Sequence, residues 1–213
     1  MGAEALPRNN EIAAAAVSSH PLILGLQPAA LVDHVAPVDW SLLEQIPGDR
    51  GGSMPVAIEE LEHILEEVKA HKLPSPDELS PMKTMAGGSV ANTIRGLSAG
   101  FGVSCGIIGA CGGHTAQCIC MVDESGNRTM RPCLSSAVKI QAGELTKEDF
   151  KGSKWLVLRY AIFNLDVIQA AIRIAKQEDL LVSLDLASFE MVRNFRPSLL
   201  QLLESGRHRP LLC

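Results

Sequence analysis

The stretch Met85-Ala86-Gly87-Gly88-Ser89-Val90-Ala91-Asn92-Thr93 decides the fold of this chain, because a loop ends there and a helix begins. Gly87 and Gly88 have no Cβ and therefore allow a ligand to approach the backbone closely. The first free N–H groups of the helix carry partial positive charge and face the same place. Asn92 lies one turn along the helix, on the side of Gly88, so its amide can bind the same ligand.

The glycine pair has two interpretations. It suits a polyhydroxylated ligand or an anion, because backbone donors and a side-chain amide converge on one place. It is equally suited to a helix start that packs closely on a strand, where glycine is needed for closeness alone. Short glycine motifs are frequent by chance, so the motif taken by itself favours the packing interpretation.

The composition predicts one large domain, or one domain with an appendage, in a chain of 213 residues. Hydrophobic residues make up 46% of the chain and aromatic residues only 4%, so the core must be aliphatic. The formal net charge of -5, with no clustered basic stretch, argues against nucleic-acid binding. No apolar run reaches the roughly 18 residues that a membrane span needs, so we expect no membrane partner.

The first twenty residues are expected to form a disordered leader that contains no targeting signal. Glu4 and Glu11 disfavour a transit peptide, and Leu6 stands where a myristoylation site needs Ser or Thr. We therefore expect a cytoplasmic protein. Cys118 and Cys120 lie two apart in an apolar run and would share one face of a strand, which favours buried free thiols over a metal site or a disulfide.

The first apolar run, residues 21–26, predicts a buried strand. Residues 29–35 either continue this strand or form a second one, and Asp33 stands near the end of that run. A carboxylate at a strand end can accept two hydrogen bonds from a sugar diol, but it can also simply cap a turn.

A surface helix is expected after the glycine-rich loop 48–52. Ser53 stands where an N-cap is needed, and Pro55 falls in the first turn. The spacing of its apolar residues predicts one inward face, made of Ile58, Leu61, Ile64, Leu65 and Val68.

The remaining chain reads as an α/β sheet interrupted by a hairpin. Buried strands are expected at 103–110, 154–158 and 180–184, with a helix at 165–177 and the hairpin at about 115–132. Asp185 ends the last strand. Open α/β sheets bind ligands at the carboxyl ends of their strands, but Asp185 could also cap the short helix that starts near Phe189.

In this order the elements resemble the PfkB-type carbohydrate kinases, the ribokinase-like family that includes adenosine kinase. The resemblance runs from about Leu22 to Ser205. It rests on Leu31-Val32-Asp33, Ala86-Gly87-Gly88-Ser89-Val90-Ala91-Asn92, Gly106-Ile107-Ile108-Gly109, the hairpin 123–130, and Leu184-Asp185-Leu186. It implies a three-layer α/β domain with a small β-lid, which transfers the ATP γ-phosphoryl group to a sugar hydroxyl.

By position, the resemblance implies that Asp33, Gly87, Gly88 and Asn92 bind the hydroxyls of a sugar or nucleoside, and that the lid closes over them. ATP and Mg²⁺ are implied as cofactors, with Asp185 in the phosphate or metal vicinity. No residue of this chain matches the catalytic position of the family, and no other metal ligand is expected.

Two departures from the family pattern accompany the resemblance. Parallel neighbours need a crossover of about a dozen residues or more. Residues 111–114 are too few for one, so the runs on either side must pair antiparallel or part at a bend. The second departure is the catalytic Gly-Ala-Gly-Asp turn, which the sequence does not contain. It also contains no Walker A motif.

We therefore expect an incomplete ribokinase-like domain at 21–205, without the C-terminal nucleotide-binding half, followed by an unrelated tail at 206–213. A splice variant or a frameshifted gene would produce both departures. Such a chain would have no catalytic base and no ATP site. The alternative function is a non-catalytic sugar-binding protein, or one that dimerises with itself or with a full-length kinase through the lid.

Overall fold

A computed structural model describes residues 20–71, 82–110, 115–134, 139–161, 164–187, 189–205 and 211–212. Its strands are β1 (Ile23–Ala29), β2 (Leu31–Pro37), β3 (Lys83–Ala86), β4 (Cys105–Ala110), β5 (Ala116–Val122), β6 (Arg128–Cys133), β7 (Trp155–Arg159), β8 (Leu181–Asp185) and β9 (Leu211–Leu212). Its α-helices are α1 (Trp40–Leu43), α2 (Ile58–Ala70), α3 (Ser89–Phe101), α4 (Leu165–Gln177), α5 (Phe189–Asn194) and α6 (Arg196–Ser205). Two short 3-10 helices, Ala142–Glu144 and Lys147–Phe150, precede β7.

The first sheet is parallel throughout and has the strand order β4-β1-β7-β8-β9. Helix α4 packs on one face, where Leu24, Leu156 and Ile168 belong to the main apolar core. Helix α3 packs on the opposite face, where a Cβ at Gly25 would overlap with Val90 and Ile94 of α3. Helix, sheet and helix form the three predicted layers, which confirms the predicted fold class.

The second sheet is mixed and has the strand order β3-β2-β5-β6. Strands β2 and β5 are parallel, whereas β3 and β6 run antiparallel to their neighbours. Helix α2 covers one face and forms a separate core with it, in which Leu61, Ile64 and Ile119 are buried. The predicted hairpin is therefore present as β5 and β6, and β2 and β3 extend it into a four-stranded sheet.

The chain passes between the two sheets at equivalent places. Strand β1 lies in the first sheet and β2 in the second, so the run from residue 31 onwards forms a second strand, whereas Ala29 still belongs to β1. Likewise β4 lies in the first sheet and β5 in the second, and no crossover helix is required between them. Of the two predicted alternatives, antiparallel pairing and separation, the structure shows separation, because β4 and β5 lie in different sheets.

Three local predictions need correction or extension. Ser53 is not an N-cap: it pairs with Met130 beside β6, and α2 begins only at Ile58 because the intervening backbone hydrogen-bonds to that strand. Residues 83–86 form an exposed strand instead of a loop. Their sequence lacks the alternation of apolar and polar residues from which a strand is predicted. In the tail, Leu211–Leu212 pairs with β8 as the short edge strand β9. The predicted domain boundaries stay a prediction.

The described helices offer no membrane-spanning segment: none of them combines the required length with sufficient apolar character. The predicted leader falls outside the described residues.

Candidate functional site

The candidate site lies where the two sheets meet. Strand β1 ends there and β2 begins, with Ala30 between them, and Gly87–Gly88 joins β3 to α3. The backbone N–H of Gly87 donates to the carbonyl of Leu31 at 2.8 Å, which ties the glycine turn to the start of β2. Residues that are far apart in sequence therefore converge at this junction.

Asp33 lies directly against the glycine turn. A Cβ at Gly87 would overlap with the Asp33 carboxylate, and the N–H of Gly88 donates to that carboxylate. Partial burial raises the pKa of Asp33, while the Gly88 donor and the charges of His34 and Arg95 act in the opposite direction. The carboxylate is thus partly desolvated and held in place, as a group that accepts hydrogen bonds from a ligand needs to be.

Gly88 is the residue that the turn geometry requires to be glycine. Its φ is 94°, a conformation that L side chains rarely adopt, and a Cβ there would overlap with the amide of Gln27. The Gln27 Nε2 donates to the carbonyl of Gly87 at 3.1 Å, and its Oε1 accepts from the N–H of Ala91 at 3.1 Å. Gln27 therefore clamps the turn to the end of β1.

Asn92 lies in the first turns of α3, and its side chain is exposed. Its backbone N–H donates to the carbonyl of Gly88 at 2.9 Å. Its Oδ1 accepts a hydrogen bond from Nη2 of Arg95, whose Nη1 donates to the carbonyl of Ala86 at 3.2 Å. Arg95 thus links the end of β3 to Asn92 across the glycine turn.

The structure brings the four predicted sugar-binding residues, Asp33, Gly87, Gly88 and Asn92, to this one junction; their role stays a prediction. Sequence reasoning missed Gln27 and Arg95. Gln27 could have been noticed as the polar residue that follows the apolar run 21–26. Arg95 could have been noticed as a cation three residues after Asn92, on the same helix face.

Asp185 is the last residue of β8, so it lies at the carboxyl ends of the parallel strands, as the end of β1 does, but away from the glycine turn. Strand β7 separates β8 from β1, so Asp185 stands two strands from the end of β1, about 10 Å at ordinary strand spacing. Its Oδ1 accepts from the N–H of Ala187 at 2.9 Å, and its Oδ2 lies 3.8 Å from Nη1 of Arg159. Asp185 thus stabilises a turn in which Ala187 has a φ of 73°.

The second sheet turns one face towards the junction. Asp33 pairs with Cys118 of β5, and by alternation Cys118 and Cys120 lie on the face of Asp33, both buried and free. Burial, with a contribution from the Asp33 charge, raises the pKa of Cys118 to about 12. The prediction that Cys118 and Cys120 are buried free thiols is confirmed.

The arrangement can bind hydroxyl groups. Asp33 offers acceptors, the Asn92 amide offers a donor, and the hydroxyl of Ser89 is buried beside them with no hydrogen-bond partner in the described part of the chain. The described residues contain no cluster of three His, Cys, Asp or Glu side chains that could hold a metal ion. Both oxygens of Asp185 face protein groups, the N–H of Ala187 and the guanidinium of Arg159.

No protein-family model and no curated protein sequence matches the chain. The structure does match that of the adenosine kinase from Sinorhizobium meliloti, with a TM-score of 0.73, 20% sequence identity, and coverage of 88% of this chain and 63% of that kinase. The chain has a ribokinase-like fold.

Two further structures extend this likeness. A probable sugar kinase from Rhizobium etli gives a TM-score of 0.73 at 18% identity, over 88% of this chain and 62% of that one. A putative ribokinase II from E. coli gives a TM-score of 0.57 at 15% identity, over 86% of this chain and 60% of that one. The ribokinase-like chain described here thus spans about three fifths of the length of these kinases.

Proposed function

We propose that this chain is the sugar-binding part of a carbohydrate or nucleoside kinase of the PfkB type. In that family the γ-phosphoryl group of ATP is transferred to a sugar hydroxyl. The observation that supports the proposal is the convergence of Asp33, the Gly87–Gly88 turn and Asn92 where the two sheets meet. We assign the sugar hydroxyls to these four residues.

Each of the four residues has a separate task in this proposal. The Asp33 carboxylate accepts hydrogen bonds from one or two hydroxyls, and the Asn92 amide donates to a hydroxyl oxygen. Gly87 and Gly88 leave room for the Asp33 carboxylate and the Gln27 amide, because a side chain at either position would overlap with that group. In this proposal the second sheet, as the lid, covers one side of the bound sugar.

Phosphoryl transfer itself is not expected from this chain alone. The sequence contains no Gly-Ala-Gly-Asp turn, which in the family supplies the base and the anion hole. A missing base costs about 10²–10⁴-fold in rate, and a lost anion hole roughly 10²–10³-fold more by analogy with oxyanion holes. ATP, Mg²⁺ and a cytoplasmic location enter the proposal only through the family resemblance.

The test is a thermal melt of the purified chain, alone and with D-ribose, D-fructose or adenosine. Binding to the folded state raises the melting temperature by mass action, so we expect one of the three to shift a cooperative transition. Asn92→Ala should reduce this shift. Asn194→Ala, which changes an exposed residue of α5, is the matched control and should preserve it.

Two outcomes would contradict the proposal. A cooperative transition that none of the three compounds moves would remove the sugar-binding assignment. Sugar-dependent ATP consumption by the chain, present in wild type and lost in Asn92→Ala, would show that it is catalytically complete.

The exposed edge of the second sheet favours a second candidate, a non-catalytic protein that pairs through the lid. All four residues of β3 are exposed, and no described strand pairs with its outer side. Such an edge is a template for another strand. Analytical ultracentrifugation over a range of concentrations distinguishes the two candidates: a concentration-dependent dimer supports pairing, and a strict monomer excludes self-association.

A further inference from the structure

Arg95 is the one charged side chain that contacts the candidate site from α3 in the described structure. It follows Asn92 by three residues, so the two side chains lie on one face of the helix. One guanidinium nitrogen donates to the Asn92 side chain, and the other donates to the carbonyl of Ala86 at 3.2 Å. The Ala86 carbonyl belongs to the last residue of β3, so this second contact anchors the guanidinium to the backbone.

This contact determines the orientation of the Asn92 amide. An arginine carries only donors, so the amide must present its oxygen to Arg95. Because the amide is planar, its nitrogen points to the other side. No described residue accepts a hydrogen bond from that nitrogen, which is therefore available to a ligand.

We propose that Arg95 is a positioning residue that holds the Asn92 amide with its nitrogen directed at a sugar hydroxyl. The inference rests on the proposed function. It adds that the site presents one acceptor, Asp33, beside one donor, Asn92. A hydroxyl bound between them donates its hydrogen to Asp33 and accepts from Asn92.

Without Arg95 the amide would be free to rotate by half a turn. In this proposal its oxygen, instead of its nitrogen, would then face the bound hydroxyl, which would meet two acceptors with a single hydrogen to donate. Arg95 also carries a positive charge that favours the ionised form of Asp33. That electrostatic effect does not pass through Asn92, and so the two effects can be separated by experiment.

The test is a double-mutant cycle, read as affinity for D-ribose, D-fructose and adenosine by calorimetric titration of the full chain at neutral pH. A lost hydrogen bond corresponds to about a three- to tenfold loss of affinity, which we expect for Arg95→Met. Arg95→Lys, which keeps one donor, should lose less. In the Asn92→Ala background, Arg95→Met should cost less affinity than it does in wild type, because only its electrostatic effect on Asp33 remains.

The control is Arg173→Met, the same substitution at an exposed residue of α4 on the opposite face of the first sheet. It should leave affinity unchanged. A melt of each variant checks folding, and Arg95→Lys replaces Arg95→Met in the cycle if the latter does not fold.

The outcomes separate this inference from the proposed function. If wild type binds and Arg95→Met binds equally well, or loses affinity additively with Asn92→Ala, the positioning role is wrong and sugar binding stands. If wild type binds none of the three compounds, the proposed function fails and the positioning role fails with it.

Discussion

At the scale of single residues, the candidate site depends on two glycines, Gly87 and Gly88, which have no Cβ. The Asp33 carboxylate lies where a Cβ at Gly87 would be, and the Gln27 amide lies where a Cβ at Gly88 would be. The two polar groups come from different sheets, β2 and β1. A side chain at either glycine would therefore displace a group of the lid or of the main sheet.

Gly88→Ala should destabilise the chain by about 1–3 kcal/mol, because its φ of 94° is strained for alanine and its Cβ would overlap with Gln27. Gly96→Ala is the matched control: Gly96 lies within α3, and nothing would obstruct its Cβ within 4 Å. This substitution should stabilise the helix by about 0.5–1 kcal/mol. Urea unfolding measures both, and equal effects would contradict the assigned strain.

At the scale of elements, the described structure covers one edge of the second sheet and leaves the other open. Residues 52–56 run beside β6, where Met54 and Val56 donate backbone hydrogen bonds to Met130 and Pro132. Arg131 is only 1% exposed, and it stabilises the loop at residues 47–52, which precedes this segment. Its guanidinium donates to the carbonyls of Pro47 (2.7 Å), Asp49 (3.4 Å), Gly52 (3.4 Å) and Met130 (2.9 Å).

Arg131→Met should cost about 3 kcal/mol, because carbonyls of the loop lose a buried donor, at about 1–3 kcal/mol for each group left unsatisfied. Arg128→Met, at the exposed start of the same strand, should change stability by no more than about 0.5 kcal/mol. Chemical denaturation measures both variants. A cost at Arg131 no greater than that at Arg128 would show that the guanidinium does not hold the loop.

At the scale of the whole molecule, the described residues form two apolar cores, one between the first sheet and α4 and the other between the second sheet and α2. The candidate site belongs to neither core. It lies at the boundary between the sheets, where β1 leads into β2 and β3 leads into α3. Any change in how the sheets meet would therefore move Asp33 relative to Gln27 and Asn92.

Sequence alone was sufficient to predict strands β1, β4, β7 and β8, helices α2, α3 and α4, the hairpin and a tight turn at Gly87–Gly88. Each of these has a local cause: apolar periodicity, a polar glycine-containing turn, or a backbone position that excludes a Cβ. The shared face of Cys118 and Cys120 follows from strand alternation in the same way.

Only the tertiary structure decided which strands pair and which side chains meet at the site. It placed β2 and β5 in a second sheet, made an exposed strand of residues 83–86, and used residues 52–56 to cover β6 instead of starting a helix at Ser53. It also showed Gln27 and Arg95 at the site. These features depend on hydrogen bonds between segments that are distant in sequence, and no local pattern specifies which segments will meet.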